Sequence, residues 1–196
     1  MKEAELQKQI IQATIEVASS YDRYRFSMLE IAGKVGCSEF EIYHLFESKE
    51  KLVKACRMAI EEDFFSLAVK AMREGKNFDK TFLLLLDHYL SHPEAIRFAL
   101  TYDYVFPRRV LPPDFAEYKN EVITKLVEPL DEIRPSMDRS LEIRYQLTDH
   151  WVRELAMDAE LILDGVIPDT PAMRELMVRT VNQGLFSFPK IPGSPE

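Results

Sequence analysis

The sequence predicts an all-helical chain. Only six glycines occur in 196 residues, and runs of alternating apolar and polar residues are few; both features argue against strands. Apolar residues recur instead at helical spacing, and two Ser-x-x-Glu pairs sit just ahead of such runs, which is the signature of a capped helix start.

Each element can be justified in order. The first helix is expected over residues 3–19, with Leu6, Ile10, Ala13 and Val17 on one face. Residues 20–26 form a turn. Ser27 is a good N-cap with Glu30 completing its capping box, and Met28, Ile31, Ala32 and Val35 follow at helical spacing. Gly36 stops that helix, because glycine readily takes the left-handed conformation at a helix end. Ser38 caps the next helix with Glu41 at the matching position, and Ile42, Leu45 and Phe46 form its buried face. Two short helices across a tight glycine turn make a helix-turn-helix, whose second helix can enter a major groove. That pattern points to DNA binding.

A long helix is expected from near Ser48 to about residue 73, with Gly75 and Asn77 marking its end. Residues 78–91 are apolar on most faces and predict a central buried helix. Pro93 suits the first turn of the next helix, which carries Ile96, Phe98 and Leu100. Residues 101–115, T-Y-D-Y-V-F-P-R-R-V-L-P-P-D-F, hold three prolines and four aromatics and cannot continue as one helix. Further helices are expected over 114–133, 137–163 and 171–186, ahead of a proline-rich tail expected to fray.

Composition bounds the function. Apolar residues at 46% and charged residues at 30% are ordinary for a soluble globular protein. The longest apolar run, 82–86, is far short of the roughly 20 residues needed to span a bilayer. The N-terminus M-K-E-A-E-L-Q-K lacks the apolar core of a signal peptide, so a cytoplasmic location is the default expectation. Cys37 and Cys56 match no metal-ligand spacing and are expected to be reduced thiols, although Cys37 falls in the helix-turn-helix turn. The net charge of −8 lies wholly outside the head of the chain: residues 1–58 hold nine basic and nine acidic residues, the remainder sixteen against twenty-four. Charge alone does not advertise a nucleic-acid partner.

The segments I-I-Q-A-T-I-E-V-A, E-I-A-G-K-V-G-C-S, I-Y-H-L-F and E-S-K-E-K-L follow one another without gaps between Ile10 and Leu52. In this the chain resembles the N-terminal domain of TetR/AcrR-type transcriptional regulators. The resemblance is specific over about the first 55 residues and architectural beyond them. It implies about nine helices: an N-terminal three-helix bundle with the helix-turn-helix, residues 1–48, and a larger helical ligand-binding and dimerisation domain, residues 49–196. It also implies a homodimer, a pseudo-palindromic double-stranded operator, and a small-molecule effector. No cofactor and no membrane partner is implied.

Carried over position by position, the DNA contacts are Ser27, Ser38, Glu39, Phe40, Glu41, Tyr43, His44 and Lys49. Ser27 and Lys49 suit phosphates, Tyr43 a phosphate through its hydroxyl, and His44 a base edge or a phosphate. The chain departs from the family where a basic, a small and a hydroxyl residue are usual and Glu39, Phe40 and Glu41 stand instead. Three readings are open. Glu can accept from cytosine N4 while Phe40 presses on a thymine methyl. Alternatively, both glutamates only cap and support the helix N-terminus, or DNA binding has been lost. Ala18 also replaces a usual phenylalanine, and Tyr21 or Phe26 is expected to fill its space.

In the body, Phe65, Phe82, Tyr89, Phe98, Tyr102, Phe106 and Trp151 are the candidate effector-binding aromatics, against the plainer alternative that most are core. His88 and His92 share helical spacing near Asp87 and Glu94, but Pro93 interrupts them and no third metal ligand is evident. No catalytic constellation assembles, so the chain is not expected to be an enzyme. The expected function is a ligand-responsive repressor released from its operator by a small hydrophobic or aromatic effector. The alternative is a TetR-fold module that binds small molecules or proteins and has lost DNA binding.

Overall fold

The computed structural model describes residues 3–20, 26–74, 77–103 and 141–186; side chains at 72–73, 102–103, 141–149 and 185–186 lie outside the description. These residues form eight helices and no strand. They are α1 (Glu3–Ser19), α2 (Met28–Val35), α3 (Glu39–Phe46), α4 (Lys49–Arg73), α5 (Phe78–Ser91), α6 (Pro93–Asp103), α7 (Leu141–Leu163) and α8 (Pro171–Phe186). The helix expected over 114–133 lies outside the described residues. Among the described residues, no helix is long and apolar enough to cross a membrane.

The chain divides into two compact units. The first holds α1, α2, α3, the residues of α4 up to Asp63, and α6. Here α1 packs against both α2 and α6. That is why Ile15, off the stripe predicted for α1, is buried together with Ile10, Ala13 and Ala18. Thr14 is fully buried on the same helix, and its hydroxyl donates to the Ile10 carbonyl at 2.7 Å, so no polar group is left unmet there. Ile31, Ile42, Phe46, Leu52, Cys56 and Phe98 close this core. Phe26 and the small Ala18 are both buried in it.

The second unit holds α4 from Phe64 onward, α5, α7 and α8. In it α5 packs against α7 and α8, and α7 against α8. Trp151 is buried at its centre, 5.0 Å from Phe78, 6.1 Å from Phe64 and 6.3 Å from Phe82 between ring centroids. Asn77 caps α5, its side-chain oxygen accepting from the Lys80 N–H at 3.0 Å, so it opens α5 instead of closing α4. Thr170 caps α8 in the same way ahead of Pro171. Gly165, at φ 69°, ends α7, and the Val166 N–H returns to the Leu161 carbonyl at 2.9 Å. Arg174 ties the start of α8 to Asp169 and, at 2.6 Å, to Asp87 of α5.

Candidate nucleic-acid interface

Both predicted capping boxes are present in full. Ser27 and Ser38 have extended backbones, and each hydroxyl accepts the N–H three residues on while that residue's carboxylate accepts the serine's own N–H. Gly36, at φ 77° and ψ 32°, makes the left-handed turn between α2 and α3, and its N–H and that of Cys37 both reach the Ala32 carbonyl. Ile42 and Phe46 anchor α3 in the core. The orientation of α3 is therefore set at both ends and along its inner side.

The outer side of α3 is exposed. Glu39, Phe40, Glu41, Tyr43 and His44 all face solvent, and the Phe40 ring is 78% exposed. Phe40 and His44, one turn apart, lie nearly parallel with centroids 6.4 Å apart. The Tyr43 hydroxyl and the Glu39 carboxylate have no protein partner among the described residues. Glu41 differs. Its Oε2 accepts from the Ser38 N–H and the Ser38 hydroxyl, each at 2.8 Å. The backbone donor first and the hydroxyl second hold its carboxyl below the ordinary range.

The serine hydroxyls and the nearby lysines are engaged within the protein. Ser27 Oγ donates to Glu30 at 3.1 Å while accepting its N–H, and Ser38 Oγ is used likewise. Lys49 Nζ donates to the Phe26 carbonyl at 2.7 Å and sits 4.0 Å from the centre of the Phe26 ring. Lys34 pairs with Glu16 at 2.7 Å and Lys51 with Glu47. Glu47, which ends α3 at φ 61° and ψ −37°, was not singled out from the sequence; no residue-type signal marks a strained non-glycine cap. Cys37 is half-buried in the turn, its thiol pushed up by burial and then by Glu41.

The candidate effector residues separate. Phe65, Phe82, Tyr89 and Trp151 are buried in the second unit, where Phe64 stacks on Tyr89 at 5.1 Å and meets Phe65 edge-on at 5.2 Å. Phe98 is fully buried in the first unit's core. The Tyr102 side chain and Phe106 lie outside the described residues. The Trp151 indole N–H is buried with no hydrogen-bond partner among the described residues, a position that suits an incoming acceptor. Phe78 joins this cluster although the sequence did not mark it as a site residue. A separate open cavity of about 630 Å³ is lined by Asp79, Leu83, Asp169, Pro171, Arg174 and Val178, none of them among the predicted aromatics.

Two capped helices meeting at a left-handed glycine, the second with an exposed outer face, make a helix-turn-helix near the start of a chain whose described residues form helices and no strand. Residues 10–56 match the family model of bacterial regulatory proteins, tetR family. Solved structures extend the likeness in fold along the chain. A TetR family transcription regulator from Marinobacter aquaeolei VT8 has a TM-score of 0.73 at 17% identity, over 92% of this chain and 96% of its own. A TetR-family transcriptional regulator from Haemophilus influenzae RD has a TM-score of 0.61 at 16% identity, over 93% and 97%. A gamma-butyrolactone receptor (ArpA-like protein) has a TM-score of 0.53 at 20% identity, over 93% and 100%. Comparison with curated proteins finds no match.

Proposed function

We propose that this chain is a homodimeric transcriptional regulator that holds a pseudo-palindromic operator through α3 and is released from it by a small hydrophobic or aromatic effector. The observation that carries this reading is the outer face of α3: Glu39, Phe40, Tyr43 and His44 are exposed on a helix whose inner side and both ends are fixed. Phe40, 78% exposed, shares that face with Tyr43 and His44, and the three side by side on a fixed helix make a surface that a partner can cover.

The effector half of the reading is supported by the aromatic cluster around Trp151 and its unmet indole N–H. A ligand with an apolar body and one carbonyl or carboxylate acceptor matches that chemistry. The gamma-butyrolactone receptor of the same fold is in keeping with it. α4 is the natural route of coupling. It is one helix that supplies Leu52, Val53, Cys56 and Ile60 to the first unit and Phe64, Phe65, Ala68 and Ala71 to the second. A ligand that repacks the rings beside Phe64 acts on the helix that begins at Lys49. Release then follows as a population shift, provided the ligand prefers the non-binding state. For dimerisation, Met157 of α7 and Leu176 of α8 are exposed apolar side chains on the helices expected to pair.

The rival, a fold that has lost DNA binding, would be favoured by Glu39 and Glu41 pairing with Lys34 or Arg25 instead of facing solvent. Lys34 pairs with Glu16, Glu41 with Ser38, and Glu39 faces solvent; Arg25 lies outside the described residues. The test is retention of fragments of the source genome by the full chain at low and moderate salt, with sedimentation to establish the dimer. Selective, salt-sensitive retention of a palindromic fragment is expected. A folded dimer that retains nothing at either salt contradicts the proposal.

A further inference from the structure

We propose that α3 reads a cytosine through Glu39 and a neighbouring thymine methyl through Phe40, with Glu41 a positioning residue and not a reader. This rests on the DNA-binding function proposed above and specifies the bases that the head selects.

The two glutamates, two positions apart, are in different chemical states. Both lone-pair directions that the Glu41 carboxylate turns toward Ser38 are occupied, one by its N–H and one by its hydroxyl. Pulling Glu41 toward a base gives up both of these bonds and with them the reciprocal half of the capping box, although Ser38 Oγ still accepts the Glu41 N–H. Glu39 has no such tie: it is exposed and without a protein partner among the described residues. It is the first residue of α3.

An ionised carboxylate only accepts hydrogen bonds, so it seeks a base amine. The major groove offers two. Adenine N6 lies between two acceptors, its own N7 and thymine O4, and both repel a carboxylate. Cytosine N4 has an acceptor, guanine O6, on one side only. Cytosine is therefore the better match. α3 has no lysine or arginine, so the bidentate guanidinium contact to guanine is absent from this helix. Phe40 offers an apolar face, and the one apolar group on a major-groove edge is the thymine C5-methyl. His44, nearly parallel to Phe40, braces that ring from the next turn.

The experiment selects sites from a randomised duplex pool with the full-length wild type, Glu39→Gln, Phe40→Ala and Glu41→Gln, all checked as folded by circular dichroism. Wild type is expected to require a C·G pair in each half-site, with a T close by. Glu39→Gln acquires a donor and can grip adenine N6 and N7 together, so enrichment at that position moves from C to A by about tenfold. Glu41→Gln weakens binding to all sequences by one common factor and leaves the motif unchanged. Replacing the T by deoxyuridine removes only the methyl group and leaves the protein untouched; it is expected to weaken wild type about fourfold and Phe40→Ala not at all. A motif that Glu39→Gln leaves unchanged, or a methyl whose removal costs wild type nothing, overturns the assignment while leaving the regulator intact. A Glu41→Gln change in base preference reverses the two roles and overturns it as well. If wild type selects no sequence, the regulator function itself falls, and this assignment with it.

Discussion

Gly184 is the position where local propensity and packing predict opposite signs. In the exposed interior of a helix, Gly→Ala stabilises by about 1 kcal/mol. A Cβ placed on Gly184 of α8, however, falls 2.2 Å from Nε2 of His150 on α7, with the flanking ring carbons at 3.1 Å. Ordinary contact needs about 3.5 Å or more, so the ring must retreat by over an ångström. The side chain is a third exposed but its Nε2 edge is buried, so the retreat must disturb the packing around that edge. Overpacking of this kind costs about 1–3 kcal/mol. Set against the propensity gain, Gly184→Ala should lose about 1 kcal/mol net, or roughly 2–4 °C in Tm. Urea denaturation of four proteins, wild type, Gly184→Ala, His150→Ala and the double variant, isolates the contact. The alanine at 184 should destabilise in the presence of His150 and stabilise in its absence. A Gly184→Ala variant more stable than wild type with His150 in place would refute the reasoning.

Four further substitutions separate the forces at work. Burial, and then the charge of Glu154, pushes the Asp158 carboxyl up to about 6. The folded chain thus binds this proton more tightly than the unfolded chain, and the cost of the ionised form grows from about pH 4 to about pH 6 and is complete above it. Because Asp158 is only half-buried, solvent screening trims the effect, and Asp158→Asn should stabilise by about 1 kcal/mol at pH 7 and by nothing near pH 4, as read from urea titrations across that range. Gly36→Ala should cost about 1–2 kcal/mol through its positive φ alone, since nothing lies within 4 Å of the added methyl; a cost near zero in thermal unfolding contradicts the left-handed turn. Ile42→Ala should lose about 2–5 kcal/mol as a fully buried residue of α3, whereas Phe40→Ala two residues earlier should leave Tm unchanged and lower operator affinity, as fluorescence anisotropy would report.

Much of the first unit was legible because its signals are local. The bounds of α1, both capping boxes, the turn at Gly36 and the proline-led starts of α6 and α8 depend on residues within a few positions of one another. The box pattern even held the fact that separates Glu41 from Glu39, although the sequence alone left both as candidate readers. What was not legible depends on distant partners. Lys49 bonds to a carbonyl twenty-three residues earlier, at Phe26. Ile15 and Phe98 are buried because α6 packs on α1, a pairing that no local pattern encodes. That pairing sets Phe98 in the first unit's core, while the other four described aromatics of the expected effector site lie in the second. The bond from Arg174 to Asp87 likewise joins residues 87 positions apart.

The most direct test of the account is the affinity of the full-length dimer for the duplex it retains, set against a scrambled duplex of equal length, at two salt concentrations. The account predicts at least a roughly thousandfold preference for the retained duplex and two protomers on each duplex. It also predicts a salt slope of about −4 or shallower, because Lys34, Lys49 and Lys51 already have protein partners. Equal affinity for both duplexes, or binding to neither, would contradict it.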